Sequence, residues 1–332
     1  MDEKEVKEIE KRGLDLKNGD EVEVRSVTVS SEKLLVPKKY SNTITEAFQS
    51  VSGVIGRVHT LPLNGGESYS VPFEKSKGEG DYTDEAGNYA DVDLDTDYVE
   101  TGRAKITAYS EITEEAIKLP DADYATLVER NVRTAILKKL GAQLVVGQGG
   151  ANQIKGIYNA DTKVLPTGEG TADIELKGID ADTLNTLVFA YGGDESVEDE
   201  AEIVLTKKDV EAFAKVKTND GKFVYNVTRN GQRGTIGYKE GGLSVPYTIN
   251  SACKSLSSDD TQTGDYTMIY GSFNDFELPM FSNLVIKKSE DFKFKQGMTA
   301  YKGSVIVGGT VKRYKGFVRV KKAVAQVSNG EI

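Results

Sequence analysis

The residue types best suited to nucleophilic catalysis are scarce in this chain, whose 332 residues include one histidine, His59, and one cysteine, Cys253. A hydrolase with a serine or cysteine nucleophile needs an imidazole beside it to take up the proton. No nucleophile elbow is recognisable in the sequence. We therefore expect His59 to lie on the surface or at the base of a hairpin, and Cys253 to be a small buried apolar residue.

The glycine-rich segment 147–156 superficially resembles a phosphate-binding loop. It follows a predicted helix, whereas phosphate-binding loops follow a strand and open a helix. It also lacks the Gly-Lys-Ser or Gly-Lys-Thr ending of such loops. The order of elements therefore argues against a nucleotide site.

Two groups of acidic residues could in principle bind a metal or transfer protons. The first recurs with period two and comprises Asp91, Asp93, Asp95 and Asp97. An extended strand places these four on one face but separates them, whereas a calcium loop needs a turn that brings its oxygens together. We interpret them as a solvated strand face. The second group is Glu111, Glu114 and Glu115, which we interpret as acidic residues at a helix N-terminus.

No Cys or His cluster is present that could hold a structural metal. The sequence thus predicts no catalytic residue, no cofactor-binding residue and no metal ligand. We expect the protein not to be an enzyme and to need no cofactor.

One helix stands out among the elements that would position these residues. A cap at Asp121 precedes apolar residues spaced by three and four, which predicts a helix over residues 121–146 that the glycines at 147–150 end. The apolar set is Leu127, Val128, Val132, Ala135, Ile136, Leu140 and Leu144.

Alternating polar and apolar residues predict several strands. Residues 57–105 contain two such stretches around a polar, glycine-containing segment at 74–87, which predicts a long two-stranded hairpin. Further predictions are a helix at 181–191, an acidic loop at 194–200, a strand at 201–205, a helix at 207–214, a hairpin around Asn230-Gly231, and mostly strands after residue 265.

The chain begins with segments that have little apolar surface to bury. Residues 2–12 predict a marginal helix, residues 22–29 an extended arm, and residues 41–51 a short amphipathic helix. Such an arm needs a partner surface.

Composition excludes several classes of protein. With 38% apolar and 28% charged residues, 34 glycines and 7 prolines, the chain is typical of a folded globular protein. The net charge of −10 argues against a function based on gripping phosphate backbones. A locally basic stretch, residues 312–322, alternates with valines, and we interpret it as a solvated strand face. One cysteine fits an intracellular origin, and no apolar run indicates a membrane span or a signal peptide.

Several segments in their order along the chain resemble the major capsid proteins of tailed bacteriophages, which have the Hong Kong 97 fold. The Leu-Val-Pro37 step resembles the N-terminal arm, the 57–105 hairpin resembles the extended loop, and residues 105–116 resemble the entry to the long spine helix. The later matching segments are the glycine turn at 147–158, residues 203–213, 220–224 and 242–246 of the axial domain, and the return into the peripheral domain from 268 to 320.

This resemblance, which covers residues 34–322, implies an α+β fold with four parts. They are an N-terminal arm (1–55), an extended β-hairpin loop (56–108), a peripheral domain (109–180 and 283–332) with spine helix 121–146, and an axial domain (181–282).

The same resemblance implies a virion subunit, assembled in the host cytoplasm, that forms pentamers and hexamers and closes an icosahedral shell around packaged double-stranded DNA. It implies contacts with scaffolding, portal and decoration proteins and non-specific contacts with DNA, without a membrane. Family members often lose an N-terminal scaffolding segment, and some crosslink neighbouring subunits from a lysine to an asparagine. Lys75 or Lys77 could supply the amine here, but residues 291–295 offer no asparagine, so we expect no crosslink.

Two alternatives stay open on the sequence. One is an encapsulin-like compartment of the same fold that holds protein cargo. The other is an enzyme or binding module that acts as a monomer.

Overall fold

The computed structural model describes residues 53–76, 80–83, 89, 95–117, 124–167, 173–192 and 200–323. All of them belong to one unit of the chain, residues 45–332. The predicted helices at 2–12 and 41–51 lie outside the described residues, as do residues 1–52 of the predicted arm, half of the hairpin tip and most of the acidic loop.

The strands form three sheets. A five-stranded sheet has the order β1-β11-β12-β4, with β13 beside β11; a seven-stranded sheet has the order β5-β14-β10-β6-β9-β8-β7; β2 and β3 pair only with each other among the described residues. In chain order the strands are β1 (His59–Pro62), β2 (Ser68–Ser76), β3 (Asp95–Gly102), β4 (Ala104–Thr113), β5 (Asp173–Leu176), β6 (Glu202–Leu205), β7 (Tyr225–Asn230), β8 (Arg233–Tyr238), β9 (Ser244–Ile249), β10 (Tyr266–Gly271), β11 (Phe276–Lys293), β12 (Met298–Val307), β13 (Thr310–Val311) and β14 (Phe317–Lys322).

Four helices are described, and short 3₁₀ turns accompany them. The helices are α1 (Glu114–Ile117), α2 (Tyr124–Val146), α3 (Thr183–Phe189) and α4 (Lys207–Lys215), and the 3₁₀ turns are Ile157–Asn159, Phe273–Asp275 and Phe294–Gln296. The predicted helices at 121–146, 181–191 and 207–214 are thus observed with slightly shifted ends, and residues 121–123 lie outside the described residues. Thr206 caps α4 because its side chain accepts a hydrogen bond from the Asp209 amide.

The long helix α2 packs on the five-stranded sheet through the apolar residues that predicted it. Val132, Ile136, Leu140 and Leu144 are all buried. A Cβ on Gly303 of β12 would lie 2.7 Å from side-chain atoms of both Val132 and Ile136, so this glycine lets the helix approach the sheet closely. On the opposite face of the sheet, Lys302 of β12 is exposed among the described residues.

The seven-stranded sheet carries α3 and α4 and confirms the predicted hairpin. Strands β7 and β8 pair in register from Tyr225↔Tyr238 to Asn230↔Arg233. Gly231 in the turn has a φ of +64°, which glycine adopts without steric cost.

Among the described residues, buried side chains form two hydrophobic cores. Strand β14 serves both, since Phe317 lies in the core that contains α2 and Val318 in the core that contains α3. Successive residues of a strand point to opposite faces, so one strand can join two cores.

The interpretation of the basic stretch 312–322 as a solvated face is wrong for Arg319. This residue is only 1% exposed and is among the largest fully buried side chains. β14 lies between β5 and β10 inside the seven-stranded sheet, and the two hydrophobic cores cover its two faces. A charge in this position must be paired.

Candidate functional site

The β2–β3 hairpin has one packed face and one exposed face. Val71, Phe73 and Val99 are buried. Tyr98, which precedes Val99 on β3 and pairs with Pro72 of β2, has a side chain that is 57% exposed. Phe73 stacks on Tyr314, with ring centroids 6.4 Å apart. Tyr314 belongs to the rest of the described subunit, which we call the body. Near the tip, the side chains of Tyr82 and Tyr89 are fully exposed.

The base of the hairpin is joined to the body through the backbone of Gly308 and Gly309. The Thr101 hydroxyl donates to the Gly309 carbonyl and accepts from the Gly309 amide, both at 3.1 Å. A Cβ on Gly308 would lie 3.0 Å from the Gly102 carbonyl oxygen, so a glycine is needed for this approach. These contacts fix where β3 leaves the body.

Asp97 forms a second anchor between the hairpin and the body. Its carboxylate lies 3.0 Å from Lys75 Nζ on β2 and 3.1 Å from Lys163 Nζ on the body. A hydrogen bond from the Tyr98 amide, followed by those from the two lysines, lowers the pKa of Asp97 to about 2. Asp97 thus departs from the predicted solvated acidic face because it is ion-paired, while Asp91 and Asp93 lie outside the described residues.

His59 lies on β1, next to the base of the hairpin, as predicted. Its side chain is half exposed, and Nδ1 lies 3.3 Å from the buried carboxylate of Glu277. Lys312 Nζ is 3.5 Å from the same carboxylate. Burial, and secondarily Glu277, raises the pKa of Tyr69 on β2. Glu277 therefore links β1, β2 and the body.

Cys253 is buried, as predicted, and it is not paired with His59. Its neighbour is the buried Tyr158, and burial raises the pKa of the thiol to about 12. A thiol with such a pKa is overwhelmingly protonated at neutral pH and is a poor nucleophile.

The glycine segment 147–156 is a tight turn closed on itself. The Gly149 amide donates to the Ile154 carbonyl at 3.1 Å, and the Gly156 amide donates to the Gly147 carbonyl at 3.0 Å. A Cβ on Gly147 would lie 2.3 Å from the Ile154 carbonyl oxygen. These amides bind carbonyls of the turn, so they do not form a phosphate cradle.

The second acidic group is divided between two elements. Glu114 and Glu115 lie in the first turn of α1, as predicted. Glu111 does not lie in the helix; it is a residue of β4 whose carboxylate lies 2.6 Å from Lys293 Nζ, and this hydrogen bond is the main reason that its pKa is lowered. Within the described ranges, no three His, Cys, Asp or Glu side chains are placed to hold a metal ion. No helix in the described part of the chain is long and apolar enough to cross a membrane.

A network around the buried ion pair of Arg319 and Asp173 was not predicted from the sequence. We call it the clamp, and it also contains Lys321 and Tyr266. Arg319 Nε lies 2.6 Å from Asp173 Oδ1, and its Nη1 donates to the Tyr158 carbonyl at 3.1 Å. Asp173 also accepts a hydrogen bond from the Tyr266 hydroxyl at 2.9 Å and lies 3.1 Å from Lys321 Nζ. The clamp joins β5, β10 and β14 to the 3₁₀ turn after the glycine segment. An arginine between two valines was its only sequence signal.

Comparison with known proteins places this fold among capsid proteins. The family model described as "Phage capsid family" matches residues 32–322. The capsid of a native GTA particle superposes with a TM-score of 0.71 at 16% identity, covering 91% of this chain and 100% of that one. A structure of Mycobacterium phage Adephagia gives 0.63 at 12% identity, covering 91% and 99%, and one of Gordonia phage Cozz gives 0.58 at 17% identity, covering 88% and 92%. Comparison with curated proteins gave no match.

These findings agree with the α+β capsid fold that the sequence predicted and do not favour the encapsulin-like alternative. The family match covers most of the chain, and the structures with this fold come from phage and GTA particles. The chain therefore belongs to the phage capsid family and is a structural subunit of a virion shell.

Proposed function

We propose that this chain assembles through pentamers and hexamers into an icosahedral shell that encloses packaged double-stranded DNA. The observation that supports this best is the β2–β3 hairpin. An isolated two-stranded ribbon is marginal in water, and exposed tyrosines on it gain stability when they are buried against another surface. Neighbouring copies would provide that surface and distribute the binding energy over many contacts.

The division into an N-terminal arm (1–55), extended loop (56–108), peripheral domain (109–180 and 283–332) and axial domain (181–282) is part of this proposal. The two hydrophobic cores support a body with two packed parts. β5 and β14 come from segments assigned to the peripheral domain. They nevertheless belong to the seven-stranded sheet, whose other strands come from the axial segment.

The function we propose is structural and requires no enzymatic activity and no cofactor. The candidate residues His59, Cys253 and Glu111 each take part in contacts that hold the fold together. Scaffolding, portal and decoration proteins are further proposed partners. Contact with DNA would be non-specific and weak, because a chain of net charge −10 repels phosphate. Strong, salt-sensitive DNA binding by isolated subunits would contradict this.

Assembly of the recombinant chain tests the proposal directly. We would measure its mass distribution by sedimentation and image each fraction by electron microscopy. Shells or rings of five and six subunits are the expected result, and nucleic acid rather than protein inside shells isolated from infected cells would identify the cargo. An inert monomer that persists with candidate scaffolds added would contradict the proposal.

We also predict that the shells are not covalently crosslinked. Lys75, the described candidate for the amine, lies 3.0 Å from Asp97, and this hydrogen bond raises the pKa of the lysine. A protonated amine is not a nucleophile. Assembled shells boiled in detergent should run as single subunits on a gel, and a ladder of covalent oligomers would refute the prediction.

A further inference from the structure

Asparagine followed by glycine favours spontaneous loss of the side-chain amide, because glycine has no side chain to hinder attack by its backbone nitrogen. The structure describes two such pairs, Asn64-Gly65 and Asn230-Gly231, and two more, at Asn18 and Asn329, lie outside the described residues. Both described asparagines are exposed, so exposure alone does not distinguish them.

The reaction requires an unusual approach of two neighbouring groups. The glycine nitrogen attacks the asparagine Cγ, the bond from Cγ to Nδ2 breaks, and ammonia leaves with the proton of the glycine amide. Water then opens the resulting succinimide ring at one of its two carbonyl carbons, which gives aspartate or isoaspartate. In isoaspartate the main chain runs through Cβ and Cγ. Ring closure moves the backbone out of regular geometry, so hydrogen-bonded pairing opposes it.

Asn230 is held in regular structure. It ends β7 and pairs in register with Arg233 of β8, which also pairs with Thr248 of β9. Arg229 Nε donates a hydrogen bond to the Gly231 carbonyl at 3.0 Å and so holds the turn. Ring closure at Asn230 therefore requires local opening of this hairpin.

Asn64 lies in an irregular turn between β1 and β2. The backbone φ is +52° at Asn64 and +137° at Gly65. Backbone pairing stops with the amide of Leu63 and resumes at Ser68. Among the described residues, no backbone hydrogen bond is formed by residues 64–67. The Gly65 nitrogen can therefore approach the Asn64 side chain without loss of backbone pairing.

This turn is one of two chain connections between the body and the β2–β3 hairpin. The other is Arg103, between β3 and β4. Arg103 Nη2 lies 3.3 Å from the Glu67 carboxylate, and this contact joins the two connections. Conversion of Asn64 adds a negative charge three positions from Glu67. Isoaspartate also adds a methylene group to the main chain of the connection.

We propose that Asn64 is a site of spontaneous deamidation in the folded subunit, that its conversion loosens the attachment of the hairpin to the body, and that the β7–β8 pairing protects Asn230. The only co-reactant is water. The inference does not depend on the proposed function, because it concerns the folded chain whether or not copies of it assemble.

Ageing of the purified full chain tests the modification itself. Folded and guanidinium-unfolded samples are kept at mildly alkaline pH, which favours the deprotonated attacking nitrogen, and portions are digested over time at mildly acidic pH. Mass spectrometry of the peptides measures replacement of the amide NH₂ by OH, and an isoaspartyl methyltransferase labels isoaspartate. In the folded chain, Asn64 should convert at least about tenfold faster than Asn230, because only Asn230 must first lose backbone pairing.

The unfolded sample is the control for sequence. Without the fold, the two sites should convert at similar rates, because glycine follows both asparagines. Equal rates in the folded chain, or faster conversion of Asn230, would overturn the inference. So would an equally large difference in the unfolded chain, because the sequence rather than the fold would then be its cause.

Variants test the effect on the hairpin. Asn64→Gly has no side-chain amide and adopts a positive φ without steric cost, Asn64→Gln gives a second variant with a longer side chain, and Asn230→Gln is the matched control. Unfolding midpoints of the fresh chains show that each variant is folded. After ageing, limited trypsin cleavage within the hairpin should be at least about twofold faster in the wild-type and Asn230→Gln chains, and unchanged in both Asn64 variants. An equal increase in all four chains would refute the link between Asn64 and the hairpin.

Discussion

The clamp and the lysine pair Lys287–Lys302 both place positive side chains on strands, but in opposite surroundings. In the clamp, the Arg319 side chain is 2% exposed and has a carboxylate at 2.6 Å. On the face of the five-stranded sheet opposite α2, Lys287 and Lys302 are exposed and lie opposite each other in the register of β11 and β12, and among the described residues neither has a carboxylate partner. The clamp pairs its charge within the core, whereas this lysine pair is exposed to solvent.

This difference separates a charge that the fold must pair from charges that water screens. A buried charge must be paired when the subunit folds, because an unpaired one would be expelled or neutralised. An exposed like-charge pair costs little in water. Changing residues in the two regions should therefore change stability by different amounts.

The largest expected effect comes from breaking the clamp. Arg319→Met leaves Asp173 buried without its closest cation and should lower the free energy of unfolding by about 3–5 kcal/mol. Urea unfolding of the monomer, followed by circular dichroism, measures the change. An unaltered midpoint would mean that the pair adds nothing to stability, and the contrast with Lys287 and Lys302 would then fail.

A double variant sharpens this prediction. Replacing Asp173 by Leu in the Arg319→Met background removes the stranded carboxylate and should recover part of the lost stability, because an apolar pair can replace a buried ion pair. Complete additivity of the two single losses would show that the side chains act independently.

Regular elements were largely predictable because their signals are local. The apolar spacing that predicted residues 121–146 reflects one buried helix face, and α2 buries that face at Val132, Ile136 and Leu140. Asn230-Gly231 fixed the β7–β8 turn because few residues tolerate its backbone angles. Element ends shifted by a few residues, since capping and tertiary contacts determine them.

The clamp and the Asp97 anchor could not be predicted, because their partners are distant in the sequence. Arg319 and Asp173 are separated by 146 positions and meet only through the parallel pairing of β5 with β14. Asp97 and Lys163 are separated by 66 positions. An alternating pattern predicts a strand, but without its neighbours it does not show which face is covered.

A smaller effect of opposite sign is expected for the lysine pair Lys287–Lys302. Lys287→Glu replaces the like-charge pair with an attractive Glu–Lys pair across the strands and should stabilise the monomer by about 0.2–1 kcal/mol. The matched change Lys288→Glu, one residue along the strand, instead removes the ion pair with Glu290 and should leave the unfolding midpoint unchanged or slightly lower. Urea unfolding of both variants measures the difference, and destabilisation by Lys287→Glu would refute the idea that Lys287 and Lys302 repel each other.

The smallest and most local effect concerns Asp97, a partly buried carboxylate that two lysines hold. Because its pKa is lowered to about 2 in the folded chain, its contribution to hairpin anchoring is present above the ordinary value near 3.8 and is lost as the pH falls from 3.8 through about 2. Pepsin cleavage within the hairpin should therefore accelerate over this range in the wild-type chain. Asp97→Asn should be cleaved faster at the upper end and show a weaker pH dependence, while Asp95→Asn on the same strand should behave like the wild type. Equal pH profiles for all three chains would mean that Lys75 and Lys163 do not hold the hairpin, and that pairing at this surface is incidental to the fold.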